Sequence, residues 1–195
     1  MRLECRGARP AQGLVCSNHL TYLDILVHAA VAPCVFVSKR EVGRWPAFGF
    51  FARCGGTIFV DRQSRASADQ VVRQIAAVLE QGVAVLLFPE GTSTNGVAVL
   101  RFHPTLLQAA VERSAEITAA AIGYRAPGVA ERELCWFDDA PFLPHLFRTM
   151  THAGIVAAVE FFPDPSAYPD RKTAALVLHD QVQALRTRMA REAGA

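Results

Sequence analysis

Short apolar runs rich in Val, Ile, Leu and Phe alternate along this chain with amphipathic stretches. Continuous or alternating apolar runs build strands and a 3.6-residue period builds helices, so the alternation restricts the chain to a layered α/β architecture. The expected fold is a single domain over 1–195, with a mixed, largely parallel central sheet of about seven strands flanked by helices. Strands are expected over 13–16, 34–38, 57–60, 83–88, 117–124, 134–137 and 155–162, and helices over 22–31, 67–81, 105–114 and 172–193. Within 67–81, Val71, Ile75, Val78 and Leu79 share one face, and Gly82 stands where a helix C′ residue belongs. The Pro-containing stretch 162–170 reads as a loop before the last helix.

The chain has 195 residues, enough for one sizeable core. Hydrophobic residues make up 51% and mean hydropathy is +0.19, yet there is no uninterrupted apolar run long enough to cross a bilayer. The first ten residues hold three arginines and no apolar stretch of the kind a signal peptide needs. The five cysteines are scattered with no CxxC pair, which argues against a zinc site or a disulfide framework and favours a reducing compartment. A net charge of +2 is too small for a dedicated nucleic-acid binder. Lys39 and Lys172 are the only lysines in an arginine-rich chain.

In α/β sheets ligands gather where strands run into loops, and three polar clusters fall at such ends. The first is Ser17-Asn18-His19-Leu20-Thr21-Tyr22-Leu23-Asp24. A histidine oriented by a carboxylate is a ready general base for a hydroxyl. Five residues of regular helix turn through roughly 140°, so His19 and Asp24 meet only if His19 precedes a helix and Asp24 lies in its first turn. Thr21 then serves as N-cap, and the same residues equally describe a plain capping box with an ordinary loop histidine. The second cluster, Phe59-Val60-Asp61-Arg62 with Arg65, offers guanidiniums suited to a phosphate or carboxylate, or to a surface salt-bridge cluster. The third, Phe88-Pro89-Glu90-Gly91-Thr92-Ser93, joins a carboxylate, a flexible glycine and two hydroxyls in a turn. It has the spacing of neither a Walker loop nor a GxSxG elbow, so nucleotide binding and a Ser93 nucleophile do not follow.

Taken in order, NHxxxxD at 18–24, GTIFVDR at 56–62 and FPEGTS at 88–93 resemble the first three motifs of the lysophospholipid (glycerolphosphate) acyltransferase family. Ser38-Lys39-Arg40-Glu41 with Trp45-Pro46 and Gly49 resembles that family's connecting segment, and the likeness covers about 13–125. NHLTYLDI, SKxEVxRWPxxG and the late Trp136-Phe137 with Phe142-Leu143-Pro144-His145 are similar to a bacterial subgroup of 1-acylglycerol-3-phosphate or lyso-ornithine-lipid acyltransferases. Two departures stand out. The family's fourth motif carries a proline where this chain has Ala119, and its Phe-Lys/Arg element reads Phe102-His103. Members also usually have an N-terminal membrane-associating helical region, whereas this chain reaches the first motif by residue 18, as a shortened or truncated form would.

The resemblance implies a glycerolphosphate-acyltransferase-like fold and transfer of a fatty acyl group to the free hydroxyl of a lysolipid. The donor would be acyl-CoA or acyl-carrier protein. The acceptor would be 1-acyl-sn-glycerol-3-phosphate, giving phosphatidic acid, with a lyso-ornithine lipid as the alternative. His19 would be the general base and Asp24 its orienter; Arg62 and Lys39 would meet the acceptor's anionic group; Glu90, Gly91 and Thr92 would shape the acceptor site, with Glu90 accepting hydrogen bonds from the head group. Backbone N–H groups at the helix start or near Gly91 would receive the thioester oxyanion. No metal or redox cofactor is implied. Lipid substrates imply peripheral, monotopic attachment at the cytoplasmic face of a bacterial inner membrane, and 141–150 is either an arginine-rimmed apolar docking patch or a core-forming helix. An acyl-thioester hydrolase and a non-catalytic lipid-binding domain are the rival classes.

Overall fold

The computed structural model describes residues 1–44, 48–61 and 65–193. In chain order the elements are β1 (Arg2–Arg6), β2 (Leu14–Ser17), α1 (Leu23–Val31), β3 (Val35–Lys39), α2 (Phe48–Cys54), β4 (Ile58–Val60), α3 (Arg65–Glu80), β5 (Val85–Leu87), α4 (Gln108–Val111), β6 (Ile117–Arg125), α5 (Glu131–Leu134), α6 (Phe142–Thr151), β7 (Val156–Phe161) and α7 (Arg171–Ala193). Short 3₁₀ turns precede α2 and α4.

Among the described residues the strands form one seven-stranded sheet in the order β1-β7-β6-β2-β5-β3-β4. From β6 across to β4 every neighbouring pair is parallel. β7 runs antiparallel to β6, and β1 lies parallel to β7. The mixed, largely parallel sheet expected from the sequence is therefore present. Parallel strands need helices on both faces, which is why β2, β5 and β6 read as continuous apolar runs rather than alternating ones.

One face buries Leu14, Cys16, Val85, Leu87, Ile117 and Ala119 against α3, α4 and α7. The opposite face buries Val15, Leu86, Ala120 and Ile122 against α1 and the chain around Leu134 and Cys135. Helix ends follow local chemistry. α3 closes in a Schellman arrangement, with Gly82 N–H donating to Leu79, Val83 N–H to Val78, and Gly82 at φ +69°. Asp170 caps α7 by accepting from the Lys172 and Thr173 N–H groups at 2.8 and 3.0 Å.

Some segments differ from the sequence expectation. Phe48–Cys54 forms the helix α2 where none is expected. The edge strand β1 lies outside the expected strands: Arg2–Arg6 alternates polar and apolar residues but holds only two apolar ones, and pairing with β7 sets it in the sheet. Conversely, 134–137 is not a strand. Glu131–Leu134 makes one helical turn, after which Trp136 N–H donates to the Leu20 carbonyl at 2.8 Å, so this segment braces the loop after β2 instead of joining the sheet.

Candidate active site

The C-terminal ends of β2, β5, β3 and β4 lie along one sheet edge; the first and third clusters picked out in the sequence meet there, and Asp61 of the second stands at the end of β4. His19 sits in the link between β2 and α1, and Asp24 is in the first turn of α1. Asp24 Oδ2 lies 2.7 Å from His19 Nδ1 and also accepts the N–H groups of Leu20 at 2.6 Å and Thr21 at 3.1 Å. Asp24 is fully buried, whereas the His19 side chain keeps 20% of its surface exposed. A bond through Nδ1 leaves Nε2 as the ring atom available to a hydroxyl.

The capping expectation is half right. The reach-back arm from the Asp24 carboxylate to Thr21 N–H exists, but Thr21 does not cap the helix with its own side chain. Tyr22 precedes α1 without a side-chain cap, and the buried Thr21 hydroxyl has no hydrogen-bond partner among the described residues. The reason is that Asp24 folds back on the loop and gathers the donors itself.

His19 is held by its main chain as firmly as by its ring. Its N–H donates to Glu90 Oε1 at 2.7 Å, and its carbonyl accepts from Thr94 N–H at 2.9 Å. The ring stacks on Phe88, with centroids 4.2 Å apart and planes inclined by 17°. Asn18, just before it, is locked to β6 by two bonds with Ile122, one accepted and one donated.

Glu90 braces the same loop. Its second oxygen accepts Leu100 N–H at 2.7 Å, so both oxygens are engaged by backbone and the side chain is buried. Burial pushes its carboxyl up from the usual range while those two N–H groups pull it back. Through these two bonds it anchors the His19 loop. Gly91, at φ +78°, turns the chain in a conformation that favours glycine, and Thr92 beside it is exposed. The donors expected for the oxyanion are also occupied: Leu20 and Thr21 N–H by Asp24, and Gly91 N–H by the Phe88 carbonyl at 3.0 Å.

Lys39 is exposed at the end of β3, two strand spacings or about 10 Å along the edge from β2. Beside it Arg40 lies 3.9 Å from Asp61. Arg62, Trp45 and Pro46 fall outside the described residues.

The sequence profile of the acyltransferase family matches residues 2–123. The chain belongs to the acyltransferase family. Within it, the chain is 39% identical over 186 residues to a lyso-ornithine lipid O-acyltransferase of Rhodobacter capsulatus, covering 90% of this chain and 66% of that protein. A 1-acyl-sn-glycerol-3-phosphate acyltransferase of Neisseria gonorrhoeae is 35% identical over 57% of this chain and 44% of its own length. The chain thus spans two thirds or less of the length of these acyltransferase relatives. The crystal structure of the 1-acyl-sn-glycerophosphate acyltransferase PlsC of Thermotoga maritima superposes with a TM-score of 0.67 at 17% identity, over 97% of this chain and 72% of that one, a likeness of fold.

Three contributors to this site were not singled out by the sequence as partners of His19 or Asp24. Tyr124 donates its phenol proton to Asp24 Oδ1 at 2.7 Å, Phe88 supplies the stacking surface, and Thr94 clamps the His19 carbonyl. All three lie at least 69 residues from their partners in sequence, and although Phe88 opens the FPEGTS motif, nothing in that motif ties it to His19.

Proposed function

We propose that this chain transfers a fatty acyl group from acyl-CoA or acyl-carrier protein to the free hydroxyl of a lysolipid. The observation that carries the reading is the His19–Asp24 pair: one nitrogen fixed by a buried carboxylate, the other on a part-exposed ring. In this reading His19 Nε2 takes the hydroxyl proton as that oxygen attacks the thioester carbonyl. Asp24 keeps the ring in the tautomer that makes this possible and offsets the charge the ring acquires. The acceptor hydroxyl is itself the nucleophile, so the route includes no acyl-enzyme and calls on no metal or redox cofactor. The tetrahedral intermediate then collapses, the thiolate leaves, and His19 returns its proton to the sulfur.

Lys39 and Arg62 are proposed to meet the acceptor's anionic group, with Gly91 and Thr92 shaping the adjoining turn and Glu90 acting through the His19 backbone. For the acceptor, the relative named for lyso-ornithine lipid matches along 90% of the chain and the one named for 1-acyl-sn-glycerol-3-phosphate along 57%. That difference favours lyso-ornithine lipid as the first acceptor to try and 1-acyl-sn-glycerol-3-phosphate as the second. No helix among the described residues is long and apolar enough to span a bilayer. Access to lipid is proposed to come from peripheral attachment at the cytoplasmic membrane face through α6.

Incubation of the purified chain with each lysolipid and each acyl donor, with products read by mass spectrometry, tests the proposal. His19→Ala is expected to abolish product while moving the melting temperature by no more than a degree or two, since the ring is part-exposed. Wild-type turnover in that variant would refute the base assignment. Thiol release at the same rate with and without lysolipid would instead identify a thioester hydrolase.

A further inference from the structure

Asp24 is usually thought of from the side that faces histidine, but its other oxygen is also engaged. Oδ2 gathers His19 Nδ1, Leu20 N–H and Thr21 N–H, while Oδ1 accepts the Tyr124 hydroxyl at 2.7 Å. Tyr124 lies near the end of β6, 100 residues away in sequence, and is itself buried. Its backbone is fixed as well: Tyr124 N–H donates at 2.8 Å to Glu131 Oε1, and Glu131 is bridged by Arg186 from α7 at 2.7 Å. The phenol is thus presented to Asp24 by a strand, a helical turn and the last helix acting together.

We propose that Tyr124 is a positioning residue of the dyad, whose hydroxyl fixes the rotation of the Asp24 carboxylate and draws part of its negative charge away from His19. A carboxylate spreads one charge over two oxygens, and a donor on one oxygen lowers the density on the other. With the donor in place, Asp24 stabilises a protonated His19 less strongly, and the base stays unprotonated to lower pH. Burial, followed by the Asp24 charge beside it, pushes the Tyr124 phenol well above its usual range, so it serves as a donor throughout the working pH span.

Other titratable groups face this pair from each element around it. His28 of α1 and Glu90 after β5 act on both His19 and Asp24, Cys135 beyond α5 acts on Asp24, and Glu131 of α5 acts on Tyr124. Among the described residues none of the four hydrogen-bonds the Asp24 carboxylate, and Tyr124 is the side-chain donor to Oδ1. Its removal is therefore separable from theirs.

This inference rests on the reading of His19 and Asp24 as a base and its orienter. Its test reads the ring directly, so that it does not depend on finding the substrate. In the full chain carrying ring-labelled histidine, the His19 signal is assigned by its loss in His19→Ala and titrated by NMR. In Tyr124→Phe, which keeps the ring and removes the hydroxyl, His19 is expected to titrate higher than in the parent by on the order of half a pH unit. With 3-fluorotyrosine at position 124, a stronger donor, it is expected to move lower. Where product is formed, the acidic limb of kcat/KM should follow the same two directions, with the acceptor KM changed less than about twofold. Unchanged titration in both variants would overturn the inference, even if Tyr124→Phe lowered the melting temperature. Absence of product in the parent with the ring shifts still present would refute the proposed activity and leave the role of Tyr124 standing.

Discussion

His28 lies one turn after Asp24 on α1, fully inside the protein, with Nε2 3.2 Å from the Ser17 hydroxyl and its edge toward Phe88. Burial lowers it to about 4, with the Asp24 charge opposing and His19 adding to the shift. In the proposed transfer, a histidine kept neutral there spares His19 a like charge as it takes up the hydroxyl proton. The same shift fixes a sign for stability. The unfolded chain protonates this histidine near its ordinary value of about 6.5, the folded chain only near 4. The unfolded state therefore binds the extra proton in between, and stability contributed above pH 6.5 is lost as pH falls towards 4, by roughly 3 kcal/mol in all. His28→Gln is expected to flatten that slope in denaturant melts between pH 7 and 4.5; a slope equal to the parent's would remove His28 as its source. At this scale the sequence revealed His19 and Asp24 because they are neighbours in one turn. It concealed Tyr124, because an isolated tyrosine near the end of an apolar strand says nothing about a carboxylate 100 residues earlier.

Elements divide along the same line. α3 could be read to within two residues at either end, since its apolar face and its Gly82 stop are both local. β1 and the brace at 134–137 could not, since each is decided by a partner far along the chain. α6 combines both kinds of information. Its inner face sets His145 against Tyr22, whose hydroxyl lies 3.1 Å from His145 Nδ1, and Phe142 against the Tyr22 ring at 4.9 Å. Its outer face leaves Leu143, Phe147 and Met150 exposed by 58, 64 and 73%, beside Arg148. The segment 141–150 is thus one helix with a core-facing side and an apolar outer stripe, the stripe being the part proposed to dock on a membrane. Replacing the three outer residues by serine is expected to cut flotation with anionic liposomes about tenfold or more, while activity on a soluble short-chain lysolipid and the melting temperature stay near the parent's. Flotation equal to the parent's would exclude α6 as the docking element.

Across the whole molecule, Arg186 of α7 is the piece that ties distant parts of the site. From one buried guanidinium it reaches the Ile122 carbonyl in β6, the Gly96 carbonyl in the loop that clamps His19, and the Glu131 carboxylate. Gly123 leaves room for it, since a Cβ there would lie 2.5 Å from the Arg186 guanidinium. Arg186→Met leaves Glu131 without its cation and is expected to cost roughly 2–4 kcal/mol in denaturant melts, with loss of turnover beyond what the unfolded fraction explains. An unchanged melt would show that the bridge is dispensable. Assembly order follows from the place of β1. Arg2–Arg6 is synthesised long before Val156–Phe161, the only strand it pairs with among the described residues. At ordinary translation speeds it waits on the order of ten seconds with open backbone hydrogen-bonding groups. Arg2, Glu4 and Arg6 make that waiting segment a poor template for a second nascent chain. Their charges protect the protein before it has folded; only afterwards does Glu4 pair with Arg125 and Arg6 with Glu192.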